Sequence, residues 1–305
     1  MKLDLTLPCD RIEAGDEFLS PEGLVETAQI AERLGFHAVS VTDHPIPTGT
    51  WLDAGGHHAQ DPFVTLAFVA AATSRIRLKT GILVLTYRNP FITARAVATL
   101  DVLSRGRVSL GVGAGYLKRE FRALGVDFEA RNDLMDEYLR ALKAAWTSDE
   151  FSFEGTGYAA SGARILPRPV QRPHPPLMIG GNAKRAIRRA AELGDAWMPF
   201  LTPAEALSTT ARTAHLNDAK ELGEGIDYLR ACCEKIGREQ IPQVMVSGLT
   251  SWPDREGSAD QLLERIADFE ALGVVGCSVH IGGRNRAEWS DNAEQFAKEI
   301  IARQG

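Results

Sequence analysis

The chain has 305 residues, 44% of them hydrophobic and 24% charged, with 34 Lys and Arg against 40 Asp and Glu and a formal net charge of −6. This composition is ordinary for a globular enzyme and argues against a general nucleic-acid binder, which carries a basic excess. No run of residues is long and apolar enough to read as a membrane span. The four cysteines, Cys9, Cys232, Cys233 and Cys277, lack CxxC spacing, which favours free thiols in a reducing cytoplasm over a zinc site. Residues 1–5 are strand-like and lack signal-peptide architecture, so a cytoplasmic location is expected.

Residues 3–8 form a short apolar run. Ser20 and Pro21 then start a helix with Leu24, Ala28, Ala31 and Leu34 on one face, and Gly35 ends it. Residues 37–42 are a second strand, which ends in Asp43, His44 and Pro45. A long loop follows, carrying Trp51, Asp53, His57, His58 and Asp61, before Pro62 opens a helix through Ala71. Residues 78–85 are the third strand. Asn89 and Pro90 are N-cap and first-turn residues of a helix whose Ile92, Ala96, Leu100 and Leu103 recur at helical spacing. Residues 108–113 are the fourth strand, rich in glycine at its carboxyl end (Gly111, Gly113, then Gly115), where Gly81 and these glycines would let a flat group approach the backbone.

An amphipathic helix with Met135, Tyr138, Leu139, Leu142 and Trp146 runs to about Thr147. Residues 149–175 differ in character: Phe151, Phe153 and Tyr158 alternate and prolines cluster. This stretch reads as an insertion within a single domain of residues 1–305, acting as a lid, a packing arm or a plain surface excursion. A strand over 176–179 ends in Gly180, Gly181 and Asn182, directly before a helix over 183–193. Strands are expected over 195–200, 242–249 and 274–281, and helices over 260–272 and 287–302. The helical region 203–237 is expected to split at Gly223 to Gly225. Eight strands separated by helices predict an α/β fold of the (β/α)8 TIM-barrel type; an open doubly wound sheet is disfavoured because no GxGxxG follows the first strand.

A barrel of this kind carries its chemistry on the loops after its strands. That rule gathers Asp43, His44, Thr80, Gly81, Ile82, Gly113, Gly115, Tyr116, Gly180, Gly181 and Asn182 around one mouth. His44 is the general acid/base candidate, because imidazole titrates near neutrality; Asp43 could orient it or bind a ligand hydroxyl. Gly180, Gly181 and Asn182 before a helix offer free amides and the positive end of a helix dipole to an anion, with Lys184, Arg185, Arg188 and Arg189 nearby. The other reading is a Gly-Gly turn beside a solvated basic face. Trp51, Trp197 and Phe200 are candidates for an apolar substrate wall, or simply core. His44, His57 and His58 with Asp53 and Asp61 could suggest a metal cluster, but no HxH or HExxH spacing supports one.

These pieces resemble a known family. The stretches GFHAVSVTDHPIP, DPFVTLAFVAAATSRIRLKTGILVLTYRNPFITARAVATLDVLSRGRVSLGVGAGYLKREFRALG, PRPVQRPHPPLMIGGNAKRAIRRAAELGDAWMP and LGVVGCSV resemble the bacterial luciferase-like monooxygenase superfamily, and within it the oxidoreductases that use the deazaflavin coenzyme F420. The resemblance implies a luciferase-like TIM barrel with an insertion region. The cofactor ring would rest on a bulge at Gly81-Ile82, where the family often holds a non-prolyl cis peptide. The cofactor phosphate would lie at Gly180, Gly181 and Asn182. His44 matches the histidine that deazaflavin-dependent sugar-phosphate dehydrogenases use as a base. Those enzymes carry a glutamate in the glycine-rich turn, whereas this chain has Tyr116 there and Glu120 a helical turn later. Tyr116 and Glu120 therefore join His44 as candidate catalytic residues. The departure leaves the substrate open among small organic molecules.

The implied activity is hydride transfer between F420 and such a substrate. The alternatives are an FMN-dependent two-component monooxygenase, a binding protein without turnover and, from a different class, a metal-dependent barrel hydrolase. A homodimer is implied through the helices near Phe63 to Phe68 and Ile92 to Leu103, with neither nucleic acid nor membrane as a partner.

Overall fold

Eight parallel strands close into a barrel in a computed structural model, which describes residues 1–202, 210, 212–253 and 258–304. They are β1 (Lys2–Thr6), β2 (Ala38–Val41), β3 (Arg77–Val84) and β4 (Val108–Gly113), followed after an interruption by β7 (Leu177–Gly180), β8 (Ala196–Met198), β9 (Gln243–Trp252) and β10 (Val274–Ile281), which closes on β1. The interruption is an antiparallel hairpin, β5 (Phe151–Gly155) and β6 (Tyr158–Ala163). β2 and β4 are buried along their whole length, as parallel strands covered by helices must be.

The covering helices start where the sequence places caps. Ser20 accepts the Gly23 amide at 3.1 Å and opens α2 (Pro21–Leu34), with α1 (Asp16–Leu19) just before it. Asp61 accepts the Phe63 and Val64 amides and opens α4 (Pro62–Ala72); α3 (Gly49–Asp53) is a short helix in the loop before it. Asn89 accepts the Phe91 amide at 2.9 Å and opens α5 (Pro90–Leu103). In all three long helices proline follows the cap, where its missing N–H costs nothing. α6 (Lys118–Ala123) and α7 (Arg131–Thr147) follow β4; α8 (Lys184–Leu193), α9 (Ala219–Lys235), α10 (Ala259–Ala271) and α11 (Arg286–Glu299) complete the layer. None of the described helices is long and apolar enough to cross a membrane.

The barrel agrees with the sequence reading, but two local expectations are corrected. α5 buries Ala94, Val97, Ala98 and Leu100, whereas Ile92 and Leu103 point outward. The helix is apolar on several faces, so periodicity alone could not choose one. Packing chose: α7 lies alongside, and the Trp146 indole donates to the Ala94 carbonyl at 3.0 Å. The expected break at Gly223 to Gly225 is also absent, since α9 runs through both glycines. Gly225 is there to clear Trp197: a Cβ would lie 2.5 Å from the indole. The first part of the expected 203–237 helical region falls largely outside the described residues.

The hairpin packs by its aromatic rings against the outer helices. Phe91 of α5 meets Phe151 and Tyr158, and Tyr138 of α7 meets Tyr158 at a centroid distance of 5.5 Å. Inside the barrel, Lys79 pairs with Asp4, which also accepts from His37 Nδ1 at 2.9 Å. Burial works to raise the Asp4 carboxyl, but the Lys79 ammonium and the His37 ring outweigh it and hold it below the usual range.

Candidate active site

β3 carries an extra residue near its carboxyl end. Thr80 pairs with Leu110, but the next pairing joins Leu83 to Val112, so Gly81 and Ile82 face one residue of β4 and bulge. The Gly81-Ile82 peptide is cis, as the family resemblance implies. Thr80 donates from Oγ1 to the Gly111 carbonyl at 2.7 Å and fixes the start of the bulge.

The glycines around the bulge make room for the protein itself. A Cβ on Gly113 would lie 2.0 Å from Ile82 Cδ1, one on Gly180 would lie 3.3 Å from Ile82 Cγ2, and one on Gly111 would lie 2.2 Å from the Thr80 carbonyl oxygen. Gly115, at φ +77°, has Val84 and Phe121 against it. Ile82 therefore lies across the ends of β4 and β7, and the bulge and the Gly180 turn are in contact.

Asp43 supports this platform from β2's side. It is buried, accepts the Val84 amide at 3.0 Å and takes both amino groups of Arg88 at 2.7 and 2.9 Å. The neighbouring residue faces a different partner. His44 Nδ1 lies 3.1 Å from Glu120 Oε2, which also accepts from the Tyr87 hydroxyl at 2.9 Å, while Glu120 Oε1 accepts the Ile46 amide at 3.2 Å.

Glu120 is buried, which works to raise its carboxyl, but the bonds from His44, Tyr87 and Ile46 outweigh that and hold it below its usual range. An ionised carboxylate only accepts, so Nδ1 carries a hydrogen toward Glu120, and in the neutral ring Nε2 is the nitrogen with the lone pair. Tyr116 reaches that nitrogen, its hydroxyl 3.5 Å from Nε2. Burial and the charge of Glu120 push the Tyr116 hydroxyl up to about 12, so it stays a neutral O–H donor. Glu120, a catalytic candidate by sequence, thus has both oxygens committed to His44, Tyr87 and Ile46.

Trp51 and His57 complete the surroundings of His44, with centroids 4.7 and 4.8 Å from its ring. Burial and the neighbouring His44 push His57 below the usual imidazole value; Asp10 and His280 also act on it. Asp10 and His280 line a cavity of about 690 Å³ at the ends of β1, β9 and β10, a volume that suits a small-molecule ligand. Tyr87 was not legible in the sequence, and His57 was visible only as a member of a candidate metal cluster with His44. Trp197 does not line the mouth: it is fully buried, its indole donating to the Gly181 carbonyl at 2.9 Å.

The Gly180 turn is less open than its sequence suggests. The Gly181 amide donates to the Met198 carbonyl at 3.3 Å and the Asn182 amide to Thr213 Oγ1 at 2.9 Å. The Asn182 side chain ties Phe200 and Ala214 together. Arg185 and Arg189 pair with Asp133 and Asp136 of α7, and Arg188 meets the Tyr228 hydroxyl, so these basic residues serve helix packing. What remains for an anion is the first turn of α8, whose cap residue Ala183 makes no side-chain hydrogen bond.

The model of the luciferase-like monooxygenase family matches residues 5–294. An FMNH(2)-dependent dimethylsulfone monooxygenase of Pseudomonas putida is 34% identical, over 87% of this chain and 68% of its own. An F420-dependent glucose-6-phosphate dehydrogenase of Segniliparus rotundus is 33% identical, over 82% of this chain and 74% of its own. The crystal structure of monooxygenase RslO1 from Streptomyces bottropensis superposes with a TM-score of 0.82 at 22% identity, covering all of both chains, and so shares the fold. With a family match over nearly its whole length and a bulged barrel of this form, the chain belongs to the luciferase-like monooxygenase family of oxidoreductases.

Proposed function

We propose that the chain transfers a hydride between coenzyme F420 and a small organic substrate, with FMN as the alternative ring. The observation that carries this reading is an apolar main-chain platform beside a histidine whose free nitrogen faces a hydroxyl. Both stand at the ends of neighbouring strands, β2 and β3. The likeness to one F420-dependent and one FMNH(2)-dependent relative supports the same pair of cofactors.

Ile82 fits one face of a planar ring, because Gly113 and Gly180 leave its side chain room to lie flat. Asp43, Thr80, Gly81 and Gly115 hold that platform, and Gly180, Gly181 and Asn182 set the start of α8, whose first turn faces the cofactor phosphate. The bound ring supplies the hydride chemistry. His44 Nε2 takes the substrate hydroxyl proton as the carbon loses its hydride, and returns it in the reverse direction. Tyr116 donates to the substrate oxygen, and Trp51 and His57 wall the space around it. Glu120 keeps the His44 ring turned with Nε2 outward. Mixing the protein with each cofactor and following fluorescence quenching tests the reading: saturable F420 binding is expected. Tight FMN binding with no F420 response would reverse the preference, and silence toward both would end it.

The exposed side chains of α4 and α5 support association into a homodimer. Val64 and Phe68 are 71% and 47% exposed, Ile92 and Leu103 68% and 67%, and the two helices pack side by side. Large apolar side chains exposed on two adjacent helices are a feature of interaction surfaces. The pair of substitutions Val64→Glu and Ile92→Glu is expected to convert a dimer to a monomer in size-exclusion chromatography with light scattering, with circular dichroism unchanged. A wild-type chain that runs as a monomer would dispose of the idea.

A further inference from the structure

The opposite end of the barrel holds a second cavity, of about 320 Å³, where the strands begin. Lys2 of β1, Arg77 of β3 and Arg238 beyond α9 stand on its rim, with His37 beside them, and Met178 and Met245 are buried beneath. Asp195 is the one carboxylate among the described lining residues, and it accepts the Leu177 amide at 2.8 Å. Three cations against one carboxylate leave an excess of about two positive charges, His37 being paired with Asp4, in a chain whose net charge is −6.

The guanidinium groups are satisfied only by neutral acceptors. Arg77 donates to Ser109 Oγ, the Val108 carbonyl and Gln171 Oε1 at 2.8–3.0 Å, which leaves Nη1 uncommitted. Arg238 donates to the carbonyls of Gln240, Ala190 and Ala191, which leaves Nη2. Among the described residues no carboxylate pairs with Lys2, Arg77 or Arg238. The α8 carbonyls offset part of the Arg238 charge through the helix dipole. Burial pushes the Arg77 pKa below the ordinary value, outweighing the charges of Asp101 and Asp4, neither of which bonds it. A partly buried cation with no carboxylate bonded to it is costly, and an oxyanion in the cavity that these groups line would reduce that cost.

We propose that this basal cavity is a binding site for a small organic phosphate, its dianion held by Lys2, Arg77 and Arg238 and its apolar body seated on Met178 and Met245. The site is distinct from the catalytic mouth and does not depend on the reading given for it.

Calorimetric titration of the full chain at pH 8 and low ionic strength, with inorganic phosphate and with phenyl phosphate, tests it. Phenyl phosphate is expected to bind saturably and more tightly than inorganic phosphate, because only the ester carries the apolar body. In the double variant Lys2→Gln/Arg238→Gln its affinity should fall at least about tenfold, as loss of two charge-assisted contacts implies. Cofactor binding followed by fluorescence should stay as in the wild type. If circular dichroism shows the double variant unfolded, Lys2→Gln alone should weaken binding about threefold. Unchanged affinity in the folded variants, equal affinity for the two probes, or no saturable heat up to about 10 mM would each overturn the proposal.

Discussion

Replacing His44 by alanine is expected to lower kcat/KM by about 10²- to 10⁴-fold, the range that a positioned general acid or base contributes. Cofactor affinity should hardly change. The reason lies in the geometry: His44 faces Glu120 on one side and Tyr116 on the other, whereas the platform proposed for the ring is built from Ile82, Gly113 and Gly180. The measurement pairs steady-state turnover with fluorescence titration of the cofactor, using whichever of a panel of enones, imines and sugar alcohols is turned over. Turnover that survives the substitution would show that the proton passes elsewhere. Loss of cofactor binding alongside activity would show that His44 is part of the ring's seat.

The second large effect is on stability. Asp43→Ala should cost about 3 kcal/mol, the lower end of the range for removing one partner of a buried ion pair and leaving the other. The lower end applies because Arg88 keeps some solvent contact, 19% of its side chain, and still has Asp61 at 3.5 Å. The same change orphans the Val84 amide directly after the bulge. Cofactor binding should therefore weaken along with stability, although Asp43 touches the platform only through Val84 and Arg88. Urea unfolding and the same fluorescence titration read the two effects. Full stability in Asp43→Ala would mean that the bidentate pair contributes nothing; lost stability with intact cofactor affinity would mean that the bulge stands without it. Asp43→Asn keeps an acceptor for Val84 and should fall between.

Where sequence and structure differ, the differences share one cause. The glycines at 111, 113 and 115 suggest room for a ligand, and the structure fills that room with Thr80, Ile82, Val84 and Phe121. Trp197 is a candidate wall by sequence, yet its ring turns outward to pack over Gly225 of α9. Ile92 and Leu103 fall on the apolar stripe of α5 and lie on its exposed face. In each case residue type and spacing are right, but the direction of a side chain depends on a neighbour distant in the chain.

What the sequence by itself determined was the alternation of strands and helices, their caps, and hence the barrel and the residues at its mouth. Those features rest on hydrogen bonds and periodicities spanning a few residues, such as Asn89 to Phe91 or Ser20 to Gly23, so they are legible locally. Tertiary structure alone decided what each mouth residue touches. Glu120 meets His44 across 76 positions and Tyr87 across 33, and Asp43 meets Arg88 across 45. Closing the barrel brings these groups within hydrogen-bonding distance, and only then are the proton on His44 and the seat beneath Ile82 defined.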